Sequence, residues 1–170
     1  TLKNLSTKGT ISLGDPSQPI QFPITVRLPI KKGLTNLSTY YISVTTAGGK
    51  VRPLKTSFEG NWLSAKSSHL GTFQIKRDTI APSLIPLNFT VTEVEITKSR
   101  LTWKVKENQT ELLDYDLFID GKWQVLEFES KGDYLFFDRP KTMIGKHKLE
   151  LIVVDSCGNK QVWTKEIFFK

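Results

Sequence analysis

The chain has one cysteine, Cys157, and two histidines, His69 and His147, among its 170 residues. A single thiol excludes an internal disulfide framework and every cysteine-rich zinc site. Two histidines without His-x-x-x-His spacing give no basis for a zinc centre. No run reaches the roughly 18 apolar residues that a membrane-spanning helix needs. There is no Gly-rich phosphate loop, no nucleophile elbow and no dinucleotide fingerprint. A sustained helical period is also missing. The opening stretch, TLKNLSTKG, is polar and lacks Met. It is expected to be a trimmed fragment of an exported protein whose targeting segment was left out.

What is present is β-forming sequence. PIQFPITVRL places Ile20, Phe22, Ile24, Val26 and Leu28 on one face, the period of a half-buried strand. TYYISVTT is rich in β-branched and aromatic residues, and AGGK after it is a turn signal. Further on, SRLTWKVKEN alternates Leu101, Trp103 and Val105 against Arg100, Thr102, Lys104 and Lys106. DYDLFIDGKWQVLEFES reads as two strands joined at Asp120-Gly121, the strongest short hairpin signal. KHKLELIVVDSCGNKQVWTKEIFF reads as a last hairpin with a tight polar connection. Strands at roughly ten-residue spacing predict an all-β chain of two tandem antiparallel β-sandwich domains. About seven strands fit residues 84–170, as an immunoglobulin-like sandwich needs, with Trp103 in its core.

The division falls in QIKRDTIAPSLIPLNF. Pro82 and Pro86 there withhold ladder donors, so the segment reads as an extended connector or an edge strand. Residues 1–77 carry eleven Lys and Arg against two acids, a net of +9; residues 78–170 carry thirteen against fifteen, a net of −2, which together give +7. The expectation is a basic sandwich over 1–77 and an Ig-like sandwich over 78–170.

Several residues invite chemical readings. Cys157 needs a base to act as a nucleophile. His147 starts the strand leading to it, more than about 20 Å away at about 3.3 Å per residue. No catalytic residue is therefore expected, and Cys157 reads as a structural thiol. Oxygen ligands at alternate strand positions share a face, which makes Asp114 and Asp116, with Asp155 nearby, candidates for calcium; the competing reading is a solvated face and turn caps. Lys31-Lys32, Lys50-Arg52-Lys55 and Lys76-Arg77 are the clustered basic residues. Lys50, Arg52 and Lys55 are candidates for holding an anionic glycan. Trp62 and Trp123 are candidate sugar platforms if they are not buried. Nucleic acid is not expected, because no reader motif accompanies the charge. Four Asn-x-Ser/Thr triplets begin at Asn4, Asn36, Asn88 and Asn108 and matter only in a eukaryotic secretory setting.

Three segments carry a resemblance. FEGNWLSAKSSHLGTFQIKRDTIAPSLIP looks like the junction where a β domain ends in a Gly-x-Phe strand and an Asp-Thr-x-x-Pro connector opens an Ig-like domain. DYDLFIDGKWQVLEFESKGDYLFF resembles the central hairpin of that next domain, and GKHKLELIVVDSCGNKQVW, with its Val-x-Asp-x-x-Gly-Asn turn, resembles its last. The arrangement is similar to the non-catalytic C-terminal region of bacterial lysostaphin-type (LytM-like) zinc metallopeptidases, over residues 57–170. That family's His-x-x-x-Asp and His-x-His zinc motifs do not occur here, so zinc is expected only in a missing catalytic domain, and no cofactor in this part. The resemblance implies an accessory region of an exported cell-envelope peptidase, periplasmic, outer-membrane-associated or extracellular. Such a region would position the enzyme or bind peptidoglycan, another envelope glycan or a protein partner, the enzyme's own catalytic domain among them. A stand-alone adhesin or carbohydrate-binding module is the alternative. Asp78-Thr79-Ile80 resembles an Asp-Thr-apolar O-glycosylation acceptor, which would make Thr79 a modification site; a polar linker triplet is the plainer reading.

Overall fold

In the computed structural model, residues 9–31, 33–89 and 95–170 are described. Asn4 and Lys32 lie outside them. The described residues form strands, turns and two short 3₁₀ segments, with no α-helix among them. The chain divides into two compact units, Thr1–Thr79 and Ile80–Lys170.

In the first unit, β1 (Thr10–Leu13), β7 (Gly71–Arg77), β3 (Tyr40–Thr45) and β4 (Val51–Leu54) form one sheet in that order. The other holds β2 (Pro19–Pro29), β6 (Trp62–His69) and β5 (Thr56–Glu59). All pairings are antiparallel. A strand turns alternate side chains to opposite faces. The inward set, Val26, Leu28, Ile42, Val44, Leu63, Ala65 and Phe73, makes the core. The expected alternation of β2 holds from Ile24 to Leu28 and fails at Phe22, which is 73% exposed. The pairing of β2 with β6 is irregular between Pro19 and Ile24, and Pro23 lies inside that gap. Gly71 opens β7 at φ +148, and a Cβ there would sit 2.1 Å from the Thr45 carbonyl oxygen. Only glycine lets the chain turn at that point.

The second unit is an immunoglobulin-like β-sandwich. One sheet runs β13 (Glu127–Glu129), β14 (Tyr134–Asp138), β10 (Arg100–Lys106), β8 (Ser83–Pro86). The facing sheet runs β12 (Lys122–Gln124), β11 (Leu112–Ile119), β15 (Gly145–Asp155), β16 (Lys160–Phe169), β9 (Glu95–Ile96). There are nine strands among the described residues where seven were expected. The two extra come from β9, of two residues, and from the expected strand after Gly121, which divides into β12 and β13 of three residues each. The β16–β9 pairing is parallel, the one exception to the antiparallel rule among the described strands. Asp120 and Gly121 take φ of 51 and 75, the two positive values that the predicted hairpin turn needs.

Trp103 is fully buried, as expected, and sits at the centre of an aromatic group. Its ring lies 5.3 Å from Phe89 and 5.9 Å from Trp163, and Phe89 lies 6.0 Å from Trp163, all edge to face. That geometry sets the positive rim of one ring against the negative face of the next. Prolines fall on outer strands in both units: Pro19, Pro23 and Pro29 on β2, Pro53 on β4 and Pro86 on β8.

Replacing the central ring removes contacts that the other two rings cannot regain by collapse. Trp103→Ala is expected to cost the second unit about 3–5 kcal/mol. Urea denaturation followed by circular dichroism measures this; a loss below about 1 kcal/mol would contradict a central role for Trp103.

Candidate functional site

The strand register brings three polar segments to one end of the second unit. Lys106, the last residue of β10, pairs with Ser83, the first of β8. Leu112, the first of β11, pairs with Asp155, the last of β15. The loop over 107–111, the turn over 156–159 and the chain entering β8 therefore share that end.

The turn and the loop are each built around a carboxylate. In the β15–β16 turn, Asp155 Oδ1 accepts from the backbone N–H groups of Cys157 and Asn159, each at 2.8 Å, and Oδ2 accepts from Asn159 Nδ2 at 2.7 Å. In the 107–111 loop, Glu107 Oε1 accepts from the N–H groups of Asn108, Gln109 and Thr110 at 2.8–3.1 Å. Ser156 ties the two segments together, its N–H and hydroxyl both donating to the Glu111 carbonyl. Glu107 and Asp155 each present a carboxylate oxygen, and these oxygens lie within 4.8 Å of one another. Asp78 and Asp155 are 0% exposed. Glu107 Oε2 is closed to solvent and accepts no hydrogen bond.

This arrangement departs from the calcium set read from the sequence. Asp155 belongs to the inward series of β15 with Leu149, Leu151 and Val153. Asp114 pairs with Val154 and Asp116 with Ile152, both on the outward series. Residues on opposite faces of a sheet do not converge, so Asp114 and Asp116 do not join Asp155. Asp114 instead accepts from the Tyr115 N–H, and Asp116 from Trp123 Nε1 at 2.8 Å. Glu107, whose carboxylate lies beside that of Asp155, was not among the candidates read from the sequence.

Both candidate tryptophans reach the surface. Trp62 is 43% exposed at the start of β6. Trp123 is 57% exposed, opposite Phe118 across the β11–β12 pair. The hydrogen bond from its Nε1 to Asp116 restrains the indole ring. On the same face, Phe118, Gly121, Lys148, Glu150 and Ile152 line an open groove of about 360 Å³. In the first unit, Lys55 lines a groove of about 390 Å³ with Arg27, Lys66, Thr25, Ser57 and Glu59. Glu59 already pairs with Arg27 at 2.7 Å. Lys50 and Arg52 are exposed on the β3–β4 hairpin and take no part in that groove. Thr79 is exposed.

Cys157 is buried, and its N–H serves the Asp155 turn. His147 lies elsewhere, with Nδ1 at 2.7 Å from Asp120 Oδ2 and its ring 5.6 Å from Phe169. The Lys148 N–H donates to Asp120 Oδ1 at 2.8 Å. That backbone donor first, and the His147 contact second, hold the Asp120 carboxyl below the usual carboxylate range.

No protein-family profile matches the chain, and no curated protein matches it. Among solved structures, CopC from Methylosinus trichosporium OB3b aligns at 13% identity and a TM-score of 0.39, over 52% of this chain and 94% of that one. The fibronectin(III)-like modules of Clostridium thermocellum CbhA align at 13% identity and a TM-score of 0.41, over 86% of this chain and 85% of theirs. A β-1,2-glucanase from Parabacteroides distasonis aligns at 11% identity and a TM-score of 0.29; the chain spans 28% of that enzyme. No residue role passes from these likenesses to this chain.

The Asp120 contacts set a pH dependence. A carboxyl with a lowered folded value contributes stability above the usual range, near about pH 4, and loses it as pH falls through the folded value. Asp120→Asn keeps a residue that tolerates positive φ and deletes the charge. The variant is expected to melt below the parent near pH 6, with the gap closing towards pH 3. A gap that stays constant across a calorimetric pH series would contradict this.

Proposed function

We propose that the chain is a non-catalytic accessory region that binds envelope glycan for an exported peptidase, with the groove beside Trp123 as its contact surface. The observation that carries the reading is the state of Trp123. A large ring that is exposed yet tied by its N–H to Asp116 loses little freedom when a sugar ring stacks on it. The adjoining groove supplies Lys148 and Glu150 as polar partners and Phe118 and Ile152 as apolar floor. Ligand sites commonly combine these two ingredients. Rigid antiparallel strands hold the ring and groove in a constant relation, which suits a module that recognises rather than reacts.

The cationic groove around Lys55 favours an anionic stretch of the same polymer. Three cations, Arg27, Lys55 and Lys66, face one acid there. A stand-alone adhesin or carbohydrate-binding module would use the same surfaces. The sequence ahead of Thr1 separates the two contexts: His-x-x-x-Asp and His-x-His motifs there would mark the peptidase.

Co-sedimentation of the chain with purified peptidoglycan sacculi, followed by titration with soluble fragments, tests the proposal. The parent is expected to bind, and Trp123→Ala to lose at least about tenfold in affinity, near 1.4 kcal/mol, with an unchanged melting temperature. Absence of binding by the parent, or equal binding by the variant, would overturn it.

A further inference from the structure

The smaller sheet of the first unit has a cup in its outward face. Val26, Leu28, Leu63 and Ala65 point into the core. The residues between and beside them therefore point outward: Thr25 and Arg27 on β2, and Trp62, Ser64 and Lys66 on β6. Ser57 and Glu59 join them from β5, and Lys55 precedes that strand. The register sets Arg27, Ser64 and Ser57 in one row across the sheet, Thr25 beside Lys66, and Glu59 beside Trp62. A serine amid longer side chains leaves a depression, the groove of about 390 Å³ that Ser64 lines. Ser64 is only 5% exposed. Its carbonyl accepts from the Ser57 hydroxyl at 3.4 Å, and its own hydroxyl takes part in no hydrogen bond among the described residues. A buried polar group without a partner costs free energy, which an incoming ligand can return. Lys55 and Lys66 form no ion pair among the described residues. Arg27 gives part of its guanidinium to Glu59 and keeps further N–H donors.

We propose that this groove holds the phosphate group of a phosphorylated sugar, whose ring rests on Trp62. This deepens the reading of the groove as a contact for an anionic stretch of the envelope polymer, and rests on it. Charge supports the choice of group. Three cations, Arg27, Lys55 and Lys66, less one carboxylate, Glu59, leave a formal +2 in the groove. A phosphate monoester carries about −1.5 to −2 at neutral pH, against −1 for a carboxylate. Shape supports it as well. The donors rise from three adjacent strands spaced about 4.8 Å apart, so they do not lie in one plane. A phosphate offers three free oxygens around a tetrahedron, whereas a carboxylate offers two in a plane. The ammonium groups serve as mobile point charges and the hydroxyls of Thr25, Ser57 and Ser64 as neutral donors. Trp62 supplies the sugar part of the argument. It shares the outward face of β6 with Ser64, roughly 6.6 Å further along the strand, and its ring is exposed. A ring there can stack on a sugar whose phosphate lies in the cup.

Calorimetric titration of the whole chain at a constant ionic strength of about 0.05 M tests this with inorganic phosphate, glucose 6-phosphate and glucuronate. Inorganic phosphate is expected to bind with a dissociation constant of about 1 mM or below. Glucose 6-phosphate is expected to bind at least about threefold tighter than inorganic phosphate, and glucuronate at least about tenfold more weakly than glucose 6-phosphate. Ser64→Ala and Lys66→Gln are each expected to weaken glucose 6-phosphate by about fivefold or more. Lys131→Gln removes the same charge from an exposed turn of the second unit and is expected to change nothing. Trp62→Ala is expected to bring glucose 6-phosphate down to the level of inorganic phosphate. Absence of saturable heat from either phosphate up to about 20 mM would overturn the site. Equal binding of glucuronate would overturn the preference for phosphate, and an equal loss in Lys131→Gln would reduce the effect to net charge. Glucose 6-phosphate no tighter than inorganic phosphate would overturn the sugar contact at Trp62. Should either groove variant fail to fold, the other decides. None of the three probes is peptidoglycan, so failure here leaves sacculus binding through Trp123 standing, and failure of sacculus binding leaves these heats to be read alone.

Discussion

A strand residue has two sides to choose from, and its neighbours along the chain must take the other. Everything in these two sandwiches follows from that period of two. It commits Leu101, Trp103 and Val105 to the interior together and leaves Thr102 and Lys104 no place there. It also puts Asp155 inside. The inward series of β15 runs Leu149, Leu151, Val153 and then reaches a carboxylate at the same phase. The sheet cannot send Asp155 outward without turning every preceding apolar residue to solvent. The fold therefore accepts a buried carboxyl group at the strand's end and surrounds it with donors from the turn that follows.

The same constraint separates the candidate surfaces. The inward face of the second unit is filled by Trp103, Phe89, Trp163 and their aliphatic neighbours. The outward face of β11 and β12 carries Phe118, Asp116 and Trp123, which have no facing sheet in their own unit to cover them. An aromatic ring on that side must find partners among its sheet neighbours, and Trp123 does so through Asp116. The candidate contact surface thus lies on the face the core does not need, while Glu107 and Asp155 sit at the strand ends, where backbone groups are free to serve side chains.

Much of the architecture was legible in the residues. The all-β class, the Asp120-Gly121 hairpin, the closing hairpin and the burial of Trp103 all rest on local patterns of two to ten residues. Patterns of that length survive folding because strand phase and turn chemistry are local properties. The misreadings have the opposite character. Phe22 sits in phase with Ile24 by sequence, yet an irregular pairing, visible only across strands, turns it out. Asp114 and Asp116 share a face, but not the face of Asp155, and the bulge between Leu112 and Asp114 that governs this is a property of the pair, not of either strand. Glu107 lies 48 positions from Asp155 along the chain, beyond the reach of any spacing rule.

The prolines of the outer strands have a further meaning. An uncovered strand offers a row of amide donors and carbonyl acceptors to any other chain that passes. Pro19, Pro23 and Pro29 strip three donors from β2, and Pro53 and Pro86 do the same on β4 and β8. Those three edges resist pairing with the edge of another copy, so fibril growth through them is blunted.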